Sequence, residues 1–322
     1  MSSVTRVPQT RTMVFSDATV DDAHEVLRHY GRLHLVKSAF VRFRYGDGFT
    51  NSRALGFQLV LAIVPLAIAL VGLRESLHTD KLGRVLEGTL IRLTPGTSDQ
   101  VVKEALDQSK AQAGAGAGGR IALVAGLVFA IVSLTTAMGQ IERGANRIYG
   151  IQRDRPTLHK YARAALHALT AGLMMLAGFL LLVGGRALAD SLAEVYRWRA
   201  VGRTSFLVAR WPVGALLALA AFTILLRRAP RRRQPGWSWL GIGAGVALAL
   251  WVVMTLAFAL YVQTSSGFGK TYGPLTGVIG LLLWSYLTAI AFFLGVAFCA
   301  QLESVRAGVH TAAAEDPETL RV

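Results

Sequence analysis

Residues 273–302 read GPLTGVIGLLLWSYLTAIAFFLGVAFCAQL, without a single Asp, Glu, Lys, Arg or His. About 20 apolar residues at ~1.5 Å rise cross a ~30 Å hydrocarbon core, so this run spans a bilayer with tilt to spare. Working outward from it, five more runs of the same character occupy 54–73, 121–137, 168–185, 207–226 and 239–262. The 322-residue chain is 53% hydrophobic and only 16% charged, against ~25% charged in ordinary soluble domains, and its mean hydropathy is +0.44. A helix of this length in a soluble protein normally keeps a polar stripe at 3.6-residue spacing, and these runs lack one. The expected fold is all-α: a polytopic membrane protein with six transmembrane helices, an N-terminal amphipathic helix and a small extracytoplasmic helical loop.

Charge sets the expected orientation. The segments 1–53, 139–163, 227–236 and the tail after 302 together hold 21 Arg and Lys, whereas the intervening loops 74–119, 186–206 and 263–273 hold 11. The positive-inside rule places the first set, and with it both termini, in the cytoplasm. The chain then divides into a cytoplasmic arm (1–50), a membrane domain (51–303) and a cytoplasmic tail (304–322). The net charge of +15 sits mostly beside spans, so the expected partners are membrane lipids, with anionic headgroups at the basic loops, and no nucleic acid. The single Cys299 supplies neither a disulfide framework nor a thiol metal site.

Along the chain, the first 15 residues are polar and basic, lack the apolar core of a signal peptide, and are expected to be unstructured. From Val20 a helical pattern puts Leu27, Tyr30, Leu33, Val36, Phe40 and Phe43 on one face, with Arg28, Arg32, Lys37, Arg42 and Arg44 mostly off it. Such a helix lies on the membrane or packs on the end of the bundle. In the first span Pro65 frees a backbone carbonyl and predicts a kink. Gln58 there has either a neighbouring helix or a substrate as its partner. The loop 74–119 reads as a helical cap with a capping box at Thr97 and Gln100, followed by a pliable AGAGAGG lead.

The second span leaves the membrane through Ser133, Thr135, Thr136, Gln140, Glu142, Arg143, Asn146 and Arg147. Gly139, Arg143, Asn146 and Arg147 fall near one helical face, which makes a candidate polar site at the cytoplasmic mouth. The alternative is that the arginines snorkel to headgroups. Arg186 and Asp190 are spaced to pair at i, i+4, and the arginines between 227 and 233 with Trp237 and Trp239 read as an aromatic-anchored interface. Gly241, Gly243, Gly245, Gly277 and Gly280 are small residues that let helices approach closely, and a homo-oligomer is compatible with them.

The chain has no phosphate loop, no H-E-x-x-H, no paired Cys and no G-x-S-x-G elbow. No enzyme, cofactor or metal is therefore expected. The candidate substrate-binding set is Gln58, Pro65, Arg143, Asn146 and Arg147, with Trp284 and Tyr286 as the apolar wall.

Tyr272-Gly273-Pro274-Leu275 followed by Leu281-Leu282-Leu283-Trp284-Ser285-Tyr286 resembles the closing signature of the YihY/BrkB family of bacterial inner-membrane proteins. Ala145-Asn146-Arg147-Ile148-Tyr149-Gly150 resembles that family's segment after its second span, and Pro65 after Ala62-Ile63-Val64 sits where the family has its first-span proline. The extended arm and the AFCAQLE ending are similar to the YhjD branch. The resemblance implies a multi-pass protein of the bacterial inner membrane, in a family once labelled ribonuclease BN, a label now regarded as mistaken. Its implied roles are transport, serum resistance and, in the YhjD branch, lipid A precursor export. The chain departs from many relatives in carrying Ala297 and Cys299 after Gly295, where they have an acidic and an amide residue. A coupling step that needs that carboxylate is not expected here. Together these readings lead to a transporter or flippase of an amphiphilic, lipid-like envelope substrate. The alternatives are a non-catalytic scaffold in envelope biogenesis and a ribonuclease.

Overall fold

In the computed structural model the described residues are 4–9, 20–76, 85, 118–152, 155–182, 184–197, 200–265 and 275–313. They form ten α-helices, with one isolated antiparallel bridge, Val4 to Ala313, as the sole β contact among them. The capping box at Thr97, most of the loop 74–119, and Tyr272-Gly273-Pro274 lie outside the described residues.

Two short helices come first, α1 (Val20–Tyr30) and α2 (Arg32–Tyr45), followed by the long helices α3 (Gly48–Ser76) and α4 (Gly118–Ile148). Next are α5 (Thr157–His167) and α6 (Leu173–Leu182), joined by a single π-helical turn, Ala168–Gly172. After α7 (Gly185–Tyr196) the chain runs through α8 (Ala200–Arg228), α9 (Trp237–Thr264) and α10 (Thr276–Arg306). Among the described residues five helices are long and apolar enough to cross a membrane: Val124–Ile148, Leu158–Leu182, Val201–Arg228, Trp237–Thr264 and Thr276–Arg306. The first expected span, 54–73, lies within α3, which continues through Pro65.

The third span starts earlier than its hydropathy indicates, because α5 and the π turn run straight into α6. At that turn Ala168, Ala171 and Gly172 are buried, and a β-carbon on Gly172 would lie 3.3 Å from the Met138 methyl. The small residues thus let the widened turn close on α4.

The last span is the centre of the bundle. Buried residues make up 56% of the most apolar window of α10, against 6% for α9, so α9 is an outer wall and α10 the axle. Helix α10 packs against α9, α3 and α2; α3 packs along α4, and α8 lies between α6 and α9. Exposed large apolar side chains run along α4 (Val124, Leu127, Val128, Phe129, Val132) and α9 (Val252, Val253, Leu256, Leu260). An apolar band of this extent is stable in lipid, not in water.

Three expectations need correction. Gly31, at φ 78°, breaks the N-terminal helix into α1 and α2. The face that α2 buries is Leu35, Ala39, Arg42 and Phe43, while Leu33, Val36 and Phe40 point outward, Leu33 being 87% exposed. The sequence pattern misleads because it ranks apolar residues, whereas α2 docks through an arginine with a prepared set of acceptors. Asp190 does not pair with Arg186; Arg203 reaches across from α8 with Nε at 3.0 Å and Nη2 at 2.6 Å. Nor is Trp239 an interface anchor, since it is fully buried with the Arg306 guanidinium 5.3 Å from its ring centre.

Of the glycines named for helix approach, Gly243 faces Cys299 and the Gly295 carbonyl, whereas a β-carbon on Gly241 or Gly245 would meet nothing within 4 Å. Helices α3 and α10 approach closely at Gly56, where a β-carbon would lie 2.9 Å from the Tyr286 nitrogen and 3.0 Å from its Cα.

Candidate functional site

Both ends of the chain meet at one end of the bundle. Residues 4–9 run as an extended strap: Thr5 N–H donates to Ala312 O at 3.1 Å and Val7 N–H to Tyr149 O at 3.2 Å, with Val4 and Val7 buried. The expectation of an unstructured arm therefore fails over these six residues. Val4 and Val7 are buried while the strap backbone pairs with the tail and the α4 turn. Gly150 makes room for it: its φ is +71°, and a β-carbon there would lie 2.7 Å from the Arg6 Cα, so only glycine fits both constraints.

Beneath the strap, Arg42 of α2 is fully buried. Its Nε donates to Gln301 Oε1 at 2.8 Å and its Nη2 to Ser304 Oγ at 3.1 Å, both on α10. Its Nη1 donates to Thr5 O at 2.9 Å and Ile148 O at 3.4 Å. Burial pulls the Arg42 pKa down to about 10, partly offset by Tyr149 and Glu303, so the side chain still carries its charge at neutral pH.

Glu303, between Gln301 and Ser304 on α10 and fully buried, is the nearby counter-charge. Its Oε1 accepts from the Tyr149 hydroxyl at 2.8 Å, and its Oε2 lies 2.9 Å from Arg232 Nη2 in an ion pair whose side chains are 3% and 0% exposed. Arg232, from the loop between α8 and α9, also lies over the Tyr149 ring at 4.8 Å and donates to the carbonyls of Val7 (3.3 Å) and Pro8 (3.4 Å). Arg232 thus pairs directly with this carboxylate, and Arg42 lies near enough to feel its charge.

A second pair flanks the first. Glu142 is buried and its Oε2 lies 2.9 Å from Arg155 Nη1, while Arg155 also donates to the carbonyls of Ala229 and Pro230 at 3.0 Å. Asn146, fully buried, accepts from the Arg231 backbone N–H at 2.7 Å. The α8–α9 loop is thereby held to α4 from two sides.

The seven residues expected to form a substrate site lie at different depths. Asn146, Arg143 and Arg147 belong to this end, with Asn146 buried, Arg147 half-buried and Arg143 exposed. Gln58 Oε1 accepts from Thr136 Oγ1 at 3.1 Å, ten residues and about 15 Å along α4 from Asn146. Tyr286 lies at the level of Gly56, Pro65 two turns beyond it on α3, and Trp284 donates to Thr255 Oγ1 at 3.3 Å on the α9 side. Sequence reasoning did not single out Arg42, Tyr149, Arg232, Gln301, Glu303 or Ser304. Two quoted stretches held a signal: Tyr149 lies within the Ala145–Gly150 motif, and AFCAQLE contains Gln301 and Glu303.

Burial, with the Glu303 carboxylate beside it, holds the Tyr149 phenol well above the usual tyrosine range. In an alkaline absorbance titration one of the eight tyrosines should keep its proton where an exposed phenol, near pKa ~10, has lost its own. Tyr149→Phe should remove that delayed step. A variant that titrates like the parent places the delayed phenol elsewhere.

The chain resembles known proteins over most of its length. A family model described as virulence factor BrkB matches residues 39–319. A Bacillus subtilis protein whose name calls it ribonuclease-like, YfkH, is 24% identical over 265 residues, covering 82% of this chain and 93% of its own. UPF0761 membrane proteins from Aromatoleum aromaticum (28% identical; 78% of this chain, 59% of theirs) and Stenotrophomonas maltophilia strain K279a (26%; 80% and 58%) also match. The chain spans about three fifths of the length of these UPF0761 relatives. No solved structure matches at a significant level. With that model matched from residue 39 to 319, and with its apolar helices, the chain is an integral membrane protein of the virulence factor BrkB family.

Proposed function

We propose that the protein moves an amphiphilic, anionic, lipid-like envelope substrate across the bacterial inner membrane, with the strap end in the cytoplasm. The observation that carries this reading is the buried cationic excess there among the described residues: Arg42 and Arg232 beside the carboxylate of Glu303. Charge withdrawn from water beside a bilayer is costly and tends to mark function, and a guanidinium matches the oxygens of a phosphate headgroup. The exposed Leu33, Val36 and Phe40 of α2, interleaved with Arg32, Lys37 and Arg44, suit a helix lying among headgroups.

One observation favours a scaffold instead, since Arg42 finds acceptors for each of its three guanidinium nitrogens inside the protein. A ribonuclease reading has less support: among the described residues no three His, Cys, Asp or Glu side chains come together to hold a metal.

The test is transbilayer movement of a headgroup-labelled anionic phospholipid in proteoliposomes, with and without an imposed proton gradient. Movement faster than in vesicles holding an unrelated membrane protein is the expected result. Equal rates under both conditions sink the transport reading and leave the scaffold.

A further inference from the structure

The geometry points to a phosphate-class anion site at Arg42 and Arg232 whose donors are held, in this state, by the carbonyls of the N-terminal strap. The inference deepens, and rests on, the transport reading.

The strap's contacts are unlike those of a merely packed terminus. Three carbonyls from one short stretch, Thr5 O, Val7 O and Pro8 O, face the two buried guanidiniums at 2.9, 3.3 and 3.4 Å. Other contacts hold the two arginines in place: Arg42 donates to Gln301, Ser304 and the Ile148 carbonyl, while Arg232 pairs with Glu303 and donates through Nε to the Arg233 carbonyl at 3.3 Å. These contacts fix the two forks, and the others are made to the strap. Carbonyl oxygens carry partial negative charge and accept from N–H along their lone pairs, as phosphate oxygens do, but they bring no full charge. They satisfy the donors while leaving the net positive charge of the cluster uncancelled. A phosphate group bringing one or two negative charges would satisfy the same donors and also cancel that charge.

Anion binding requires the strap to leave its seat, and its contacts there can be counted. It is held by two small buried valines, the Thr5–Ala312 and Val7–Tyr149 backbone bonds, the Thr5 hydroxyl on Thr311 O, and these carbonyl contacts. The tail strand it pairs with is tied back to α10, through Ser304 Oγ to Val309 O at 2.8 Å and Gln301 Nε2 to His310 O at 3.3 Å. Gln301 and Ser304 therefore touch both Arg42 and the tail. An anion drawing Arg42 outward would disturb the seat of the strap as well, so ligand and strap exclude each other.

The test uses the full chain in two forms. Val4 and Ala313 face each other across the bridge, so Val4→Cys with Ala313→Cys should lock the strap on oxidation and release it on reduction; Cys299 is fully buried and should not interfere. Val4→Asn with Val7→Asn should loosen the strap without adding charge. Binding is measured by calorimetry with inorganic phosphate, and separately in nanodiscs containing phosphatidic acid or only phosphatidylcholine. The reduced and loosened forms should bind about tenfold or more tightly than the locked form, equivalent to roughly 1.4 kcal/mol. Binding of phosphate alone assigns a soluble anion; binding only of phosphatidic acid assigns a lipid headgroup. Equal affinity in locked and reduced protein overturns the inference, as does absence of binding to either probe in every form. Should the asparagine variant fail to fold, the reversible disulfide gives the answer within one sample. Gated phosphate binding without lipid movement in any form removes the transport reading and keeps the site. Lipid movement that is the same in locked and reduced protein does the reverse.

Discussion

Glu303→Ala is expected to remove most folded protein from the membrane, the largest effect of any single substitution at this end of the bundle. The variant leaves Arg232, 97% buried at its side chain, without its ion pair, and Tyr149 without its acceptor at 2.8 Å. Arg42, fully buried beside them, loses its neighbouring counter-charge. Removing one member of a buried pair costs about 3–5 kcal/mol, because the partner charge stays in place without compensation. That is a large share of a typical stability of about 5–15 kcal/mol. Glu303→Gln keeps the volume and an acceptor for Tyr149 but loses the charge, and should fall between alanine and the parent. Combining Glu303→Leu with Arg232→Met removes both charges and should recover part of the loss, since apolar isosteres of a buried pair are often tolerated. Thermal melts of the detergent-solubilised variants, read by size-exclusion chromatography, decide the matter. A Glu303→Ala protein that melts with the parent removes the ion pair from the account of stability.

Gly56→Leu should separate α3 from α10. At this position the neighbour is the Tyr286 backbone, at 2.9 and 3.0 Å from where a β-carbon would stand, and backbone cannot rotate out of the way. Overpacking a close-packed seam costs typically ~1–3 kcal/mol and more where backbone must shift. The same substitution at Gly241 or Gly245, where a β-carbon meets nothing within 4 Å, should leave the melting temperature almost unchanged. If all three behave alike, the seam is not as tight as described.

Much of the fold was legible because hydrophobic runs of span length need no partner to be recognised. Helix α10 was read from its lack of charge, and the structure finds it the most enclosed of the candidate spans. The site was less legible, for a physical reason. Arg42 is the clearest case: on a basic helix it looks like one solvated charge among several, and only three-dimensional proximity to Gln301, 259 residues away, shows otherwise. Asn146 was read as a candidate substrate contact, whereas in the structure its side-chain oxygen accepts from the backbone of Arg231, which no side-chain pattern advertises. The π turn at Ala168–Gly172 was likewise hidden, since the hydropathy of ALTAG is that of any helix.

The closure of the chain's two ends upon each other has a consequence for biosynthesis. Arg42 leaves the ribosome long before its acceptors Gln301 and Ser304, which lie 259 and 262 residues downstream. At roughly 5–20 residues per second the arginine waits on the order of 10–50 s before α10 exists, and the strap waits longer still for Ala312. Until then α2 has its outward face, Leu33, Val36 and Phe40, and its earlier neighbours α1, α3 and α4 to rest on. Assembly of this end therefore waits for the last helix, and a chain interrupted before it leaves the Arg42 guanidinium without its Gln301 and Ser304 acceptors.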